Sequence, residues 1–487
     1  MKLDRFMIAA PSSGSGKTLI TCGLLTLLKK SGKNPVSFKC GPDYIDPMFH
    51  TTVLGTKSRN LDLFFTDPVM TRYLLKKNSR EADLAVIEGV MGYYDGMGVD
   101  SSKAGASDLA AATDTPVFLI VPAKGVSRSI LPLIKGFLDF QDKPCIKGII
   151  LNRVSKGMYP RMKQMIEEHL HIPVVGYAPV MDDVGMESRH LGLLMPNEIQ
   201  DLRRKLDRTA DIFRETFDLD LMLKLAGEAP ELADELPSDP MIRALEEEKR
   251  KTSAENSSEA DKASEETADP SADRESPFRL RIGVANDEAF CFFYQDNLDL
   301  LRELGAELVE FSPMNDRELP PGLDGLILNG GYPELDAKVL SDNESMRFSI
   351  ARAIEGGLPT IAECGGFLYL HETLKNMEGD PYPMTGIIPG TASYTGHLTR
   401  FGYATLSGGK IFGQDVGPIR THEFHYYDSE NPGDAYLAQK PFGRREWRCI
   451  HSTDTLYAGF PHLYFYANPR IAAAFLIACA KGGLHVE

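Results

Sequence analysis

The chain has 487 residues, of which 43% are hydrophobic and 25% charged, and its net charge is −16. This length predicts two or three domains rather than one core, and the composition is that of a soluble globular protein. The sequence has no run of about 18 apolar residues that would span a membrane, and its acidic balance argues against nucleic-acid binding. Its seven cysteines form no CxxC pair, which argues against zinc and disulfide frameworks and indicates the reducing cytoplasm.

Residues 1–231 alternate short apolar runs with helical patterns. The run "RFMIAAP" leads into a glycine loop and the amphipathic "KTLITCGLLTLLKKSG", so we predict a buried first strand here rather than a signal peptide. Four later runs are bounded by Gly, Pro and Asp: "ADLAVIEGV", "TPVFLIVPA", "CIKGIILNRV" and "IPVVGYAP". Apolar runs separated by helices predict a doubly wound parallel sheet covered on both faces.

The stretch "APSSGSGKT" (Ala10–Thr18) lies between a predicted strand and a predicted helix. That context is the one in which a glycine-rich loop binds phosphate through its backbone N–H groups and the helix N-terminus. Lys17 would reach the terminal phosphates of ATP, and the Thr18 hydroxyl would bind Mg²⁺. Pro11 stands where the usual first glycine of the motif would be. The predicted nucleotide-binding residues of the loop are Ser13, Gly14, Ser15, Gly16, Lys17 and Thr18.

Four acidic residues follow two further predicted strands of this domain. Asp43 and Asp46 lie in "FKCGPDYIDP", and Glu88 and Asp95 lie in "VIEGVMGYYDG". In parallel α/β sheets ligands gather at the carboxyl ends of the strands. Carboxylates placed there would bind Mg²⁺ or position a substrate, although any one of them could equally cap a helix or a turn.

A composition change marks the middle of the chain. Between Glu231 and Ser276 there are fifteen acidic and six basic residues, a net charge of −9. Because this stretch has few large apolar residues, we predict a flexible acidic linker over residues 232–277. After it the buried-strand pattern returns in "LRIGVAND", "AELVEFSP", "DGLILNGG" and "LPTIAECGG". Residues 278–487 are therefore predicted to form a second doubly wound parallel-sheet domain.

Cys364 lies in "IAECGG", at a predicted junction of strand, sharp turn and helix. A free cysteine is often buried only as part of the hydrophobic core. This junction, however, resembles the nucleophile elbow of hydrolases. The N–H groups of Gly365 and Gly331 are candidates for an oxyanion hole. A cysteine nucleophile also needs a base, and the histidines in "RTHEFHYYD" and "GFPHLYFYANP" are the candidates that stand out: His422, His425 and His462.

The first domain resembles the synthetase domain of the cobyrinic acid a,c-diamide synthase family, which is similar to dethiobiotin synthetase. The resemblance rests on "SSGSGKT", "FKCGPDYIDP", "NLDLF", "IEGVMGYYDG" and "GIILNRV", in the family's order. It implies that ATP phosphorylates a substrate carboxylate and that ammonia then displaces the phosphate. The implied site residues are Tyr44, Ile45 and Asp46 near the tetrapyrrole and its reacting carboxylates, Asp43 and Glu88 with Thr18 at the metal, Asp46 and Asp95 in catalysis, and Asn152 at the nucleotide base.

The second domain resembles class I-like glutamine amidotransferases of the type found in cobyrinate and cobyrate amidases. The matching segments are "GGYPE", "ECGGFLYL", "THEFHY" and "HLYFYANP". The resemblance assigns His462 as the catalytic histidine. Ordinary class I amidotransferases have an acid two residues later, where this chain has Tyr464. The absence of that acid is typical of the subgroup, and it leaves the group that orients His462 unassigned.

Together these resemblances predict an enzyme that amidates the a- and c-acetate carboxylates of cobyrinic acid, using ATP, Mg²⁺ and L-glutamine, in cobalamin biosynthesis. Hydrogenobyrinic acid and nickel-sirohydrochlorin remain alternative substrates, because their enzymes would share every motif above. A P-loop switch ATPase with an attached binding domain is a further alternative. No nucleic-acid or membrane partner is expected, and a homodimer is left open.

Overall fold

The computed structural model describes residues 1–181, 196–232 and 280–482, with side chains undescribed at 196–199 and 482. Apart from its first residue, the predicted acidic linker lies outside the described residues. The chain divides into two compact units, Met1–Leu236 and Pro237–Glu487. Within the described ranges, no helix has the length and apolar character needed to cross a bilayer.

The first unit is built around a seven-stranded sheet whose pairings are all parallel. The strands are β1 (Asp4–Ala9), β2 (Pro35–Cys40), β3 (Ser58–Leu61), β4 (Leu84–Glu88), β5 (Val117–Pro122), β6 (Ile146–Asn152) and β7 (Val174–Ala178). Their order across the sheet is β3-β2-β4-β1-β5-β6-β7. The helices are α1 (Lys17–Lys30), α2 (Ile45–Thr52), α3 (Pro68–Asn78), α4 (Ala106–Ala112), α5 (Ile130–Asp139), α6 (Tyr159–Leu170), α7 (Pro196–Thr216) and α8 (Leu219–Ala226).

The central strands of this sheet are buried on both faces, as their continuous apolar sequences require. Every residue of β2 and β4 is buried, including the polar Lys39 and Glu88 near their carboxyl ends. Since all the strands run in one direction, the loops after β1, β2, β4 and β6 leave from the same edge of the sheet. That edge collects the phosphate loop and the predicted acidic residues.

The second unit contains a six-stranded sheet of order β20-β21-β11-β10-β8-β9, parallel except at its β20 edge. Its strands are β8 (Leu280–Ala285), β9 (Ala306–Phe311), β10 (Gly325–Leu328), β11 (Thr360–Glu363), β20 (His451–Ser452) and β21 (Leu456–Gly459). The helices of this unit are α9 (Gln295–Glu303), α10 (Ala337–Asp342), α11 (Glu344–Glu355), α12 (Gly365–Tyr369) and α13 (Arg470–Gly482). The predicted fold class, two α/β units with parallel sheets, is confirmed.

Two smaller sheets in the second unit were not predicted. One has the order β13-β12-β14-β17, and the other has the order β19-β18-β15-β16-β22 with every pairing antiparallel. Their strands are β12 (His371–Lys375), β13 (Pro381–Pro383), β14 (Ile388–Tyr394), β15 (Arg400–Ser407), β16 (Ile419–His425), β17 (Tyr427–Ser429), β18 (Tyr436–Gln439), β19 (Glu446–Cys449) and β22 (His462–Leu463). Several are only two to four residues long, and β15 is only partly buried, so no continuous apolar run reveals them.

Candidate active sites

The phosphate loop joins β1 to α1 through two glycines in the left-handed region. Gly14 has φ 76° and Gly16 has φ 92°, and Gly16 is the N-cap of α1. Glycine adopts this conformation without the steric cost that a Cβ would bring. The loop and the N-terminus of α1 therefore point N–H groups toward a cleft of about 690 Å³. All six predicted loop residues line this cleft: Ser13, Gly14, Ser15, Gly16, Lys17 and Thr18.

Lys17 is buried and held by backbone carbonyls at the floor of the cleft. Its Nζ donates to the carbonyl of Ser12 at 3.2 Å and to the carbonyl of Met91. Burial lowers the pKa of Lys17, and the nearby Lys39 lowers it further. Two ammonium groups thus lie close together in a cleft that can take an anionic ligand.

Lys39 is the centre of a carboxylate cluster at the ends of β2 and β4. Its Nζ donates to Glu88 Oε1 at 2.8 Å and to Asp46 Oδ2, and it lies 4.0 Å from Asp43 Oδ2. Burial opposes the charge, but Glu88 and Asp46 outweigh it and raise the pKa of Lys39 well above its usual value. Burial raises the pKa of Glu88 to about 7, against the opposing pull of Lys39. The pKa of Asp46 is lowered because Lys39 outweighs its burial.

Lys39 is a candidate functional residue that the sequence reasoning missed, although it lies inside the quoted stretch "FKCGPDYIDP". The available signal was a lysine near the end of a predicted buried strand, two residues before Gly41. A buried lysine is expected to have a charged partner. The partner Glu88 is 49 residues away along the chain, so only the β2–β4 pairing reveals it.

Thr18 and Glu88 fit the predicted magnesium position. The Thr18 hydroxyl donates to Glu88 Oε1 at 2.8 Å, and both side chains line the cleft. Asp43 also lines it, but its Oδ1 accepts the N–H groups of Ile45 and Asp46 at the start of α2. Among the described residues, no three His, Cys, Asp or Glu side chains are arranged to hold a metal ion by themselves.

The remaining predicted residues of this unit differ in their placement. Ile45 and Asn152 line the cleft, whereas Tyr44 and Asp95 are not among its lining residues. Asn152 donates from Nδ2 to the Ser15 carbonyl at 2.8 Å, which ties the end of β6 to the phosphate loop. Asp95 is exposed, and its Oδ2 accepts the Gly92 N–H at 2.9 Å.

We expect Gly16→Ala to lower ATP-dependent activity by about 10²-fold, because a displacement of about 1 Å at a reacting centre has that effect. An alanine at position 16 would place its Cβ 2.6 Å from Asn152 Nδ2. Its backbone would also have to adopt a φ of 92°, which is unfavourable for a residue with a Cβ. Gly32→Ala is the matched control, since Gly32 has φ 80° but nothing within 4 Å of its Cβ position and lies outside the cleft. ATP-dependent turnover by both variants, followed as release of ADP, is the measurement, and equal rates would contradict the expectation.

Cys364 lies on a sharp elbow between β11 and α12. It has φ 46° and ψ −100°, an unusual conformation for a residue with a Cβ, and it is 7% exposed. Such strained residues concentrate at functional sites. Gly366, two residues after Cys364, permits the close packing behind the elbow, because a Cβ on Gly366 would lie 2.2 Å from the Leu328 carbonyl oxygen.

The two predicted oxyanion-hole residues lie side by side next to this elbow. A Cβ placed on Gly365 would be 2.8 Å from the Gly331 backbone nitrogen. The close approach brings the backbones of the two glycine loops together, as the prediction requires. Backbone N–H donors at such a position are the usual means of stabilising an oxyanion.

His462 is the histidine that the fold brings to Cys364. His462 Nδ1 lies 3.3 Å from Oε2 of Glu363, the residue directly before Cys364. Burial opposes protonation, but Cys364 and Glu363 outweigh it and raise the pKa of His462 to about 10. A histidine beside a cysteine can serve as the base that a thiol nucleophile needs. The imidazole fits because Gly330 has no side chain: a Cβ there would lie 2.5 Å from His462 Cε1.

The other two candidate histidines lie on β16 in different surroundings. His422 is the cross-strand neighbour of His462, and burial lowers its pKa to about 3, with His462 adding to the effect. His425 lies 3.3 Å from Glu423, a carboxylate that also lies 3.6 Å from Arg400. The geometry therefore favours His462 as the base for Cys364.

Comparison with known proteins identifies both units. Residues 6–193 match the family model of the CobQ/CobB/MinD/ParA nucleotide binding domain, and residues 281–469 match that of the CobB/CobQ-like glutamine amidotransferase domain. A cobyrinate a,c-diamide synthase from Listeria innocua is 39% identical over 477 residues, covering 96% of this chain and 98% of the relative. One from Priestia megaterium is 34% identical over 486 residues, covering 98% of each chain. The chain therefore belongs to the cobyrinate a,c-diamide synthase family.

Proposed function

We propose that this chain is an amidoligase that uses ATP and glutamine to convert the a- and c-acetate carboxylates of cobyrinic acid to amides, in cobalamin biosynthesis. The observation that carries the proposal is the presence of two different reaction centres in one member of this family. One is a phosphate-loop cleft with two buried lysines, and the other is a strained cysteine that acts on the pKa of a neighbouring histidine. The first suits activation of a carboxylate by ATP, and the second suits release of ammonia from glutamine.

In the glutaminase reaction, the Cys364 thiolate attacks the side-chain amide carbon of glutamine. The negative charge that develops on the amide oxygen is stabilised by the N–H groups of Gly365 and Gly331. His462 then gives its proton to the departing nitrogen, so that ammonia leaves and a thioester remains. Water activated by His462 hydrolyses the thioester, which yields glutamate and restores the thiol.

In the synthetase reaction, a substrate carboxylate oxygen attacks the γ-phosphorus of ATP, and ADP leaves. Lys17, the loop N–H groups and Lys39 neutralise charge around the transferred group, which is the main catalytic need of phosphoryl transfer. Ammonia then attacks the acyl carbon of the acyl phosphate, and inorganic phosphate departs. Thr18 and Glu88, with Asp43 nearby, are the residues that would hold Mg²⁺, which would supply further positive charge at the phosphates.

The remaining predicted residues take their roles in this scheme. Asp46, kept ionised by Lys39, is the proposed acceptor of the proton that the attacking ammonia loses. Tyr44 and Ile45 flank it and are proposed to contact the tetrapyrrole. Asp95 is proposed to act in catalysis from the loop after β4, and Asn152 is proposed to contact the nucleotide base beside the phosphate loop.

Turnover of individual tetrapyrroles tests the substrate assignment. The chain should consume two ATP and two ammonia equivalents per cobyrinic acid, as measured by mass spectrometry of the product and release of ADP. Faster turnover of hydrogenobyrinic acid or nickel-sirohydrochlorin would transfer the assignment to that substrate. Rapid ATP hydrolysis that does not depend on any tetrapyrrole would instead favour a P-loop switch ATPase.

A further inference from the structure

The position two residues after His462 does not supply the acid that orients a catalytic histidine. Tyr464 occupies it, and its hydroxyl donates to Asp296 Oδ2 at 3.0 Å. Both side chains are buried. The next residue is also anchored to α9, because the Phe465 N–H donates to Asn297 Oδ1 at 2.7 Å. The chain after His462 therefore serves to fix β22 against α9.

A different carboxylate contacts His462, from the strand that carries the nucleophile. Glu363 is the last residue of β11 and directly precedes Cys364. Its Oε2 lies 3.3 Å from His462 Nδ1, and its Oε1 accepts the Leu463 N–H at 3.1 Å. The carboxylate thus spans the imidazole and the backbone that carries it, and Glu363 is only 9% exposed.

We propose that Glu363 is the positioning residue for His462: its carboxylate accepts the Nδ1–H, so that Nε2 faces the Cys364 thiol. This inference rests on the proposed glutamine-dependent function and deepens it. A carboxylate that accepts from one imidazole nitrogen fixes the tautomer and the ring orientation needed by a nucleophile at the other nitrogen. Here the acid comes from the residue before the nucleophile instead of from the segment after the histidine.

The charges around His462 agree with this arrangement. The ionisable groups that face it are Cys364 on the elbow, Glu363 on β11 and His422 on β16. His422 is neutral at ordinary pH because burial lowers its pKa, so it adds no competing positive charge. Tyr457 of β21 faces Glu363 and also stays neutral, since burial raises its pKa well above the usual value. Glu363 therefore supplies negative charge on the Nδ1 side of the imidazole.

Glu363→Gln tests the proposal, because glutamine keeps the shape of the side chain and removes its charge. We expect glutamine hydrolysis to fall by about 10²-fold in kcat/KM, while ammonia-dependent amidation stays at the wild-type rate. The alkaline limb of the glutaminase pH profile should move to lower pH. A raised imidazole pKa keeps His462 protonated up to that pKa, so losing Glu363 makes the proton leave earlier as pH rises.

Two further variants make the test specific. Glu363→Asp should restore part of the activity and move the alkaline limb back toward the wild-type position. Asp296→Asn removes a buried carboxylate beside Tyr464 and should leave that limb in place. An unmoved alkaline limb in Glu363→Gln, or an equal fall in ammonia-dependent amidation, would overturn the proposal. If the wild-type chain amidates no tetrapyrrole with either nitrogen source, the proposed function fails instead, whereas glutamate release still tests Glu363.

Discussion

Cys364→Ser is expected to lower glutamine-dependent amidation by about 10³-fold or more, because losing a nucleophile removes the covalent pathway. Ammonia-dependent amidation should continue at the wild-type rate, since free ammonia bypasses the glutaminase reaction. The substitution changes one atom of a side chain that is 7% exposed, so the elbow should persist. Product formation with glutamine and with an ammonium salt, measured on the same preparation, is the appropriate assay.

Cys449→Ser is the matched control for this experiment. Cys449 is another buried cysteine of the second unit, and burial raises the pKa of its thiol to about 12, so it is not a thiolate at neutral pH. Its replacement should leave both nitrogen sources effective. If Cys364→Ser still used glutamine at the wild-type rate, the assignment of the nucleophile would be wrong.

Lys39→Met should produce the opposite pattern, with amidation lost from both glutamine and ammonia while glutamine hydrolysis survives. Lys39 neutralises Glu88 and Asp46 in a buried cluster, so its removal leaves carboxylates without their cation. Breaking a buried ion pair in this way costs roughly 3–5 kcal/mol, and the remaining carboxylates would take up protons instead of serving the cleft. Amide formation with each nitrogen source, together with thermal unfolding, measures both effects.

Lys30→Met is the control for the charge change alone. Lys30 pairs with Asp207 and Asp211 on the surface of the same unit, and exposed pairs contribute about 1 kcal/mol or less. This variant should keep both activities and unfold close to the wild-type temperature. A Lys39→Met protein that still amidates its substrate with ammonia would remove Lys39 from the proposed machinery.

The phosphate loop shows what could be predicted from the sequence. The stretch "SSGSGKT" lies between an apolar run and an amphipathic helix, and the local chain conformation follows from Gly14 and Gly16. Such a motif is encoded by neighbouring residues, so reading the chain in order is sufficient to find it. The family and the two parallel α/β units were predicted on the same grounds, and both are confirmed.

The two smaller sheets of the second unit could not be predicted from neighbouring residues. β15 and β16 pair antiparallel, from Arg400 opposite His425 to Leu406 opposite Ile419, and the local sequence does not predict this pairing. β15 is only partly buried, so its sequence resembles that of loops. The pairing of β15 depends on contacts with distant segments, because the intrinsic preference of a short sequence for the β-strand conformation is weak.

The sequence by itself determined the local elements of both sites: the phosphate loop, the acidic residues after β2 and β4, and the cysteine between a strand and two glycines. The tertiary structure alone decided which side chains meet. Lys39 reaches Glu88 across 49 residues, and Glu363 reaches His462 across 99. The physical reason is that strand pairing and the close approach of glycine backbones set these distances. A buried charged group then forms an ion pair or hydrogen bond with the side chain that the packed fold places beside it.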